Sequence, residues 1–316
     1  MSFNPPKLYD WINDVDADPN QTWLVDDFIL YDAAHQISGP ATKGFKSWLA
    51  FALSLVVATG KEWCGLKPAQ AESVLILETE GPRKSTAKRF KLFQKSMKFD
   101  YATMKSIFFA HRDLRSLDNP RDMDDIYSFI KYHNIKLVIV DTLAKSMRGD
   151  ENSVQDVSRA MQGLDVLRQT GAAVVWLHHI GKPAEGKTDI DHETRGSSAL
   201  AGFYDVHLAI RRDSEEAPYL NLTRRSNEAE ESYYRLQWLI SDEGVELKLE
   251  KTDDLKSTPD VMKDICVGKL LPFELYGITS LKEIWSMGTE AAKKMANGLV
   301  EEGVLEKIGK QKYRLK

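Results

Sequence analysis

The segment SGPATKGFKSWLA (38–50) nearly matches a loop that binds phosphate groups. The usual form is G-x-x-x-x-G-K-[ST], in which backbone N–H groups surround the phosphates, the lysine reaches the outer ones and the hydroxyl holds Mg²⁺. Lys46 and Ser47 occupy the last two positions, but Phe45 stands where the motif has glycine. The segment by itself is compatible both with a phosphate site and with an ordinary turn between a strand and a helix.

Phe45 is the residue on which these two interpretations differ. Glycine before the lysine permits a tight backbone, so Phe45 requires either compatible backbone angles or a one-residue shift that uses Gly44 and Gly39. A phosphate site also requires a loop that leads from a strand directly into a helix N-terminus, and residues 33–59 have that order. The candidate phosphate-binding residues are Gly39, Lys43, Gly44, Phe45, Lys46, Ser47 and Trp48.

Acidic and histidine side chains end three other strand-like runs. VIVDT places Asp141 where a carboxylate holds the water shell of Mg²⁺, and LILETEG supplies Glu78 and Glu80 to orient or deprotonate an attacking water. VVWLHH brings His178 and His179 to a third strand end, where an imidazole can hydrogen-bond a γ-phosphate. Separately, each group has an ordinary alternative: a capping Asp, solvated Glu side chains, structural His. Their arrival at one edge of one sheet favours a shared site.

These side chains require a sheet that brings the strand ends together, and the sequence predicts one. Apolar strand-like runs occur at 33–38, 73–79, 106–111, 136–142 and 172–179. Helical patterns separate them, at 46–59, around 84–96, at 120–133 behind a capping Asn119, and at 153–170 before Gly171. This alternation is typical of a parallel sheet with helices on both faces. After residue 200, successive strand-like runs predict antiparallel pairs that complete the sheet.

Composition limits the class of protein. The chain has 316 residues, 42% of them apolar, which is enough for one large and one small domain. Cys64 and Cys266 offer neither a disulfide framework nor a zinc spacing, which fits a reducing compartment. The longest apolar stretch, 48–60, is too short to span a bilayer and the N-terminus lacks signal-peptide character, so we expect a cytoplasmic protein without a membrane partner. The net charge of −4 excludes a globally basic nucleic-acid coat.

The C-terminal residues differ in character from the rest. A polar stretch at 251–260 precedes predicted helices at 260–271, 279–286 and 289–302, and two short strands around Gly309, which is the order of a winged helix-turn-helix. The expected DNA contacts are Thr289, Lys293 and Lys294 in the groove, and Lys310, Lys312 and Arg314 on phosphate. A generic helical hairpin with a solvated basic end is the ordinary alternative. Acids at Glu290, Glu301 and Glu302 also leave a protein-binding role open.

Taken together, the motifs resemble the RecA-like ATPases of the RepA-type hexameric replicative helicases, which are common in plasmids and phages. The resemblance covers roughly residues 22–250 and is carried by GPATKGFKSWLAFALSLVVATG, VLILETEGPRKSTAKRF, LVIVDTLAKSMRGDENSVQDVSRAMQGLDVLRQTGAAVVWLHHIGK and RGSSALAGFYDVHLAI. It implies an α/β fold with a P-loop core, ATP and Mg²⁺ as cofactors, and a bulky residue tolerated before the loop lysine. The expected domains are an arm (1–21), the ATPase domain (22–250), a linker (251–259) and the winged helix (260–316).

The resemblance also implies roles for single residues. Lys46 would contact the β- and γ-phosphates, while Ser47 and Asp141 would serve the metal. Glu80 best matches the catalytic glutamate, with Glu78 as the second candidate, and His179 resembles the γ-phosphate sensor, with His178 beside it. A neighbouring subunit would complete the site with an arginine, for which Arg224 and Arg225 are both candidates; an exposed strand end with solvated arginines is the alternative.

A ring of identical subunits would grip single-stranded DNA with channel loops. The polar segment 181–198 supplies Lys182, Lys187 and Arg195, and a second loop supplies Arg148, unless these are ordinary surface loops. We therefore expect an ATP-driven DNA helicase or translocase. The alternatives are an ATPase that loads or remodels partners on DNA, and a DNA-binding adaptor that uses ATP as a structural ligand. From the short N-terminus we expect neither a primase domain nor a large collar, and this segment is a candidate for packing on a neighbouring subunit.

Overall fold

A computed structural model describes most of the chain, namely residues 23–41, 45–100, 106–111, 116–180, 202–212, 219–226, 229–252, 270, 275–285, 289–301, 303–308 and 312–315. The chain divides into two compact units. The first comprises residues 1–212 with 218–253, and the second comprises 213–217 with 254–316.

A nine-stranded sheet is the centre of the first unit. Its strand order is β11-β10-β9-β8-β3-β7-β6-β4-β5. The strands are β3 (Ala34–Gly39), β4 (Ser73–Glu78), β5 (Ile107–His111), β6 (Ile135–Asp141), β7 (Ala173–His179), β8 (Val206–Arg211), β9 (Leu220–Ser226), β10 (Ser232–Ser241) and β11 (Gly244–Thr252). Strands β8, β3, β7, β6, β4 and β5 run parallel, and β9 to β11 extend the sheet in antiparallel fashion. The expected α/β fold with a mainly parallel sheet is confirmed.

Four helices cover the two faces of this sheet: α1 (Lys46–Thr59), α2 (Arg83–Met97), α3 (Pro120–His133) and α4 (Val154–Arg168). Helices α1 and α2 pack on one face of the sheet, and α3 and α4 pack on the other. Each face has its own apolar core. Helix α3 begins at the predicted cap, since the Asn119 side chain accepts a hydrogen bond from the Arg121 N–H. No helix among the described residues is long and apolar enough to cross a membrane.

A short hairpin that the sequence did not reveal precedes the sheet: β1 (Trp23–Val25) and β2 (Ile29–Leu30). Its turn residue Asp27 accepts hydrogen bonds from Arg224, from the Tyr234 hydroxyl and, at 2.9 Å, from Lys251. Burial opposes ionisation of Asp27, but these donors outweigh it and lower the pKa of the carboxyl. The turn is thereby fastened to three strands of the antiparallel edge.

The described residues of the second unit form a small three-stranded sheet and two helices. Its elements are β12 (Tyr276–Gly277), α5 (Ile278–Trp285), α6 (Thr289–Glu301), β13 (Leu305–Lys307) and β14 (Lys312–Leu315), with strand order β12-β14-β13. Leu281, Trp285, Leu299, Leu305 and Tyr313 are buried in its core. The helix predicted over 260–271 lies largely outside the described residues. The winged-helix assignment stays a prediction.

The Asp27 cluster generates a stability prediction. We expect Asp27→Asn to lower the free energy of unfolding by about 3 kcal/mol, because it leaves the buried Arg224 guanidinium without its counter-charge. Glu231→Gln is the control: it breaks the partly exposed Arg225–Glu231 pair and is expected to cost less than about 1 kcal/mol. Urea unfolding of both variants measures the difference. Equal losses would contradict the assignment of Asp27 and Arg224 to a structural cluster.

Candidate active site

The carboxyl ends of four parallel strands meet at one edge of the sheet. The β3–β7 register places Gly39 opposite His179, and the β4–β6 register places Glu78 opposite Asp141. A cavity of about 260 Å³ opens at this edge. Its lining is Pro40, Ala41, Phe45, Lys46, Ser47, Trp48, Glu80, Arg89, Asp141, Thr142 and His179.

Phe45 adopts the backbone conformation that the motif normally obtains from glycine. Its φ is 54° and its ψ is 20°, in the left-handed region, and helix α1 begins at the next residue. A residue with a side chain pays roughly 1–2 kcal/mol for this conformation. The Phe45 ring stacks nearly parallel on Trp238, with centroids 6.2 Å apart, and this contact offsets part of the cost. Of the two alternatives for this position, the structure has the compatible backbone angles.

Lys46 lies at the base of the cavity and is almost fully buried. Its ammonium donates to the backbone carbonyls of Gly39, at 3.0 Å, and Pro40, at 2.7 Å. Burial lowers the pKa of Lys46 to about 8, against the opposing influence of the Asp141 and Glu80 carboxylates. The loop therefore holds a cation with two neutral acceptors, and an anionic ligand would improve its environment.

Asp141 and Ser47 form the candidate metal position. Burial raises the pKa of Asp141 to about 6, and a hydrogen bond from Ser47 acts in the opposite direction. The Asp141 Oδ1 atom is buried and has no hydrogen-bond partner among the residues that the structure describes, which suits a carboxylate that binds a cation or its water shell. Among the described residues, no cluster of three His, Cys, Asp or Glu could hold a metal alone. A Mg²⁺ ion here would need phosphate oxygens and waters as further ligands, as is usual for this metal.

Glu80 lies at the mouth of the cavity with two polar neighbours. Its Oε1 accepts hydrogen bonds from the Thr142 hydroxyl and from His179 Nε2, each at 3.1 Å. The hydrogen bond from His179 is the main reason that the pKa of Glu80 lies below its usual value, and Lys46 contributes to the same effect. The carboxylate is thus ionised near neutral pH and held in a fixed orientation.

Glu78 and His178 point elsewhere. The Glu78 carboxylate is buried, accepts hydrogen bonds from the Gly81 N–H and the Thr86 hydroxyl, and lies 3.2 Å from His111 Nε2. These contacts fasten the start of α2 to the end of β4. His178 is buried opposite Ser38 of β3. Of each predicted pair, the structure brings Glu80 and His179 into the cavity.

The arginine candidates differ in burial. Arg224 is 2% exposed and bound to Asp27 and Ser232, so its guanidinium is committed to the fold. Arg225 is partly exposed and pairs with Glu231 at 3.0 Å. We therefore assign Arg224 a structural role, and Arg225 alone stays a candidate for a neighbouring site.

The candidate DNA contacts among the described residues lie in both units, Arg148 in the first and the others in the second. Arg148 is exposed and 3.5 Å from Asp122, and Lys293 pairs with Glu290 at 2.8 Å. Lys294 and Lys312 are exposed. The described residues do not include Lys43, Gly44, Lys182, Lys187, Arg195 and Lys310.

Three residues of the site were not predicted from the sequence. Thr142 binds Glu80, and Thr79 donates to the Asp141 carbonyl oxygen through its N–H, at 2.8 Å, and its hydroxyl, at 3.0 Å. Both threonines lie directly beside the candidate acidic residues, and this adjacency was the feature of the sequence that could have identified them. Arg89 lines the cavity with its guanidinium 5.7 Å from the Trp48 ring centroid. Nothing in the sequence distinguishes it from the other cations of α2.

Comparisons with known proteins place the chain in a family. A family model described as AAA domain matches residues 3–185, more than half of the chain. No curated protein matches. Among solved structures, a KaiC-like protein from the archaeon Pyrococcus horikoshii is 14% identical, with 71% of this chain and 93% of that chain covered and a TM-score of 0.48. The RadB recombinase is 15% identical, with 69% and 91% covered and a TM-score of 0.47. The chain belongs to the AAA domain family.

Proposed function

We propose that this protein is an ATPase that moves along or unwinds single-stranded DNA as a ring of identical subunits. The observation that carries the ATPase part is the position of Glu80, at the mouth of a cavity whose base is Lys46. A P-loop lysine, a metal-side carboxylate and a separate ionised carboxylate are the set that phosphoryl transfer to water requires. Membership of the AAA domain family supports the same conclusion.

Binding of the triphosphate is the task of the loop and of Lys46. The N-terminus of α1 offers unpaired backbone N–H groups and the positive end of the helix dipole. Lys46 adds a positive charge whose ammonium donates hydrogen bonds to the carbonyls of Gly39 and Pro40. Ser47 and Asp141 would hold Mg²⁺, which when bound neutralises phosphate charge.

Activation of water is the task of Glu80. Its carboxylate accepts the proton of the attacking water, and the Thr142 hydroxyl and the His179 ring keep it oriented while it does so. His179 ends β7 and directly precedes the segment that contains Lys182, Lys187 and Arg195. This adjacency supports a sensor role for His179, in which its contact with Glu80 changes when the γ-phosphate leaves.

The action on DNA rests on the sequence resemblance and on basic residues. In the helicase or translocase hypothesis, Arg148 and the segment 181–198 contact DNA in the central channel. Arg225 completes the ATP site of a neighbouring subunit. The tail, as a winged helix, would hold duplex DNA through Lys293, Lys294, Lys310 and Lys312. The adaptor alternative has less support, because an ATP-binding adaptor has no use for an oriented, ionised Glu80.

The catalytic proposal predicts a selective loss in Glu80→Gln. Hydrolysis is expected to fall by at least about 10²-fold because the proton acceptor is removed, whereas ATP affinity stays near the wild-type value. Steady-state ATPase rates, with and without single-stranded DNA, and equilibrium nucleotide binding measure the two quantities.

Glu78→Gln is the matched control for this experiment. It disturbs the buried contacts at the start of α2, so we expect a lower melting temperature but near-normal turnover per folded molecule. Near-normal hydrolysis in Glu80→Gln, or an equal loss of ATP binding, would contradict the assigned role.

The Lys46 pKa predicts a pH dependence of nucleotide binding. Between pH 7 and pH 9 a lysine with a pKa near 8 changes from mostly charged to mostly neutral, so ATP affinity is expected to fall by about 10-fold. Titration of Glu80→Gln protein with ATP over this range separates binding from turnover. In Lys46→Arg the charge persists, and the decline should disappear. An equal decline in that variant would assign the pH effect to another group.

The shared-site proposal predicts rescue by mixing. An Arg225→Ala chain and a Lys46→Ala chain are each expected to be nearly inactive, but a mixed ring contains some interfaces with both groups intact. ATPase activity should therefore recover in rings whose mixed composition is confirmed by native mass. Arg224→Ala is the comparison, since it should unfold more easily and gain no activity on mixing. Absence of rescue for Arg225→Ala would exclude it as the trans-acting residue.

A further inference from the structure

Helix α2 carries a row of lysines on one face. Lys84, Lys88, Lys91 and Lys95 follow one another at intervals of four, three and four residues. At 3.6 residues per turn they fall within about 60° of arc and extend over about 16 Å. All four are exposed, and the helix contains no acidic residue.

No ion pair with another described residue balances the charges of this row. Lys84, Lys88 and Lys91 form no ion pair with a described residue, and Lys95 donates to the backbone carbonyl of Asp242. Like charges three and four residues apart destabilise a helix by tenths of a kcal/mol per pair. The arrangement therefore lowers the stability of the helix, and among the described residues only Lys95 gains a hydrogen bond from it.

An aromatic groove lies beside the lysine row. It measures about 410 Å³ and runs between α2 and β5, the last strand at one edge of the sheet. Phe90, Phe99, Ile107 and Phe109 form its apolar walls, with Arg83 and Lys91 at the rim. Phe109 is 38% exposed and meets Phe90 edge to face at 6.0 Å. Lys91 belongs to both the row and the groove.

We propose that α2 and β5 form a binding site for single-stranded nucleic acid, with backbone phosphates along the lysine row and bases against Phe109 and Phe90. A cationic track beside aromatic faces is the combination that binds single strands without reading their sequence. Lysine ammonium groups act as point charges on phosphate, and every base has a face that stacks. The described residues that line the groove include no carboxylate that would repel a polyanion.

The position of α2 connects this site to the ATP cavity. The start of α2 is held by Glu78 through Gly81 and Thr86, and Arg89 of the same helix lines the cavity. A nucleic-acid strand bound to α2 would therefore contact the helix that directly follows the loop containing Glu80. The site is formed by residues other than those of the segment 181–198 and of the tail. This inference rests on the proposed function in one respect, namely that single-stranded DNA is the natural ligand.

The test compares two triple variants in the full chain. Lys84/Lys88/Lys91→Gln removes three charges from the row, and Lys61/Lys67/Lys131→Gln removes three exposed charges elsewhere. Binding of an oligothymidine is measured by fluorescence anisotropy at several salt concentrations. The row variant is expected to flatten the slope of log affinity against log salt by about 2, since each single-strand phosphate contact contributes roughly 0.7. The control variant should keep most of the wild-type slope.

A second pair of variants tests the groove. Phe109→Ala is expected to weaken binding by about 5-fold or more with an unchanged salt slope, because a stacking surface is lost but no charge. Tyr132→Ala, which removes an aromatic ring that is 84% exposed on α3, should bind as the wild type does. Circular dichroism confirms that all variants are folded.

Several outcomes would overturn the inference. These are equal slopes in the two triple variants, unchanged affinity in Phe109→Ala, or a smaller native mass of the row variant with unaltered DNA binding, which would make the row a subunit contact. Stronger competition by polyglutamate than by oligonucleotide would also overturn it. ATPase rates without DNA separate the two proposals. If the wild type binds DNA through the row but hydrolyses no ATP, the ATPase proposal fails and this site stands.

Discussion

The parallel register of β3, β7, β6 and β4 is the constraint on which the candidate site depends. Because side chains alternate between the two faces of a strand, a slip of one residue in β6 would turn Asp141 away from α1 and towards α3 and α4. The two hydrogen bonds from Thr79 to the Asp141 carbonyl oxygen fix the ends of β4 and β6 at this register. The geometry of the candidate site is thus set by the pairing of the strands, which brings these side chains close together.

The cavity is assembled at a cost to the fold. Burial disfavours the charged forms of both Lys46 and Asp141 and is the main reason that their pKa values move in opposite directions; the Glu80 and Glu78 carboxylates add to the rise for Asp141. The depressed pKa of Lys46 means that stability rises as pH increases from about 8 towards 10.5. The raised pKa of Asp141 means that stability falls as pH increases from 3.8 to about 6. At neutral pH both charges therefore destabilise the empty site, and a ligand that supplies opposite charges relieves part of this.

Much of the first unit could be predicted from the sequence because its pattern is strongly periodic. The helices over 46–59 and 120–133 have the predicted bounds, and each of the five predicted strands is present. The β1–β2 hairpin was missed because its strands have three and two residues, too few to show a period.

The sequence did not predict which residue of each candidate pair, Glu78 or Glu80 and Arg224 or Arg225, makes structural contacts. The reason differs from that for the hairpin. Glu78 and Glu80 differ in the turn that follows them, where the Gly81 N–H captures Glu78. Arg224 differs from Arg225 because of Asp27, which is 197 residues away along the chain. Side chains alternate between the two faces of a strand, so that neighbouring residues lie on opposite faces. The contacts that each side chain makes with distant parts of the chain decide which of the two reaches the cavity. Such partners are not visible in one sequence.

Trp48 gives the cavity a property that its chemistry does not require. The indole lies in the first turn of α1, lines the cavity, and has the Arg89 guanidinium 5.7 Å from its ring centroid and the Trp238 ring 6.0 Å away. Indole emission responds to nearby charge and to stacking, and a polyphosphate bound in the cavity would change the electric field and the access of water at Trp48. Trp48 is therefore positioned as an intrinsic fluorescent reporter of the cavity, against the emission of the six other tryptophans of the chain.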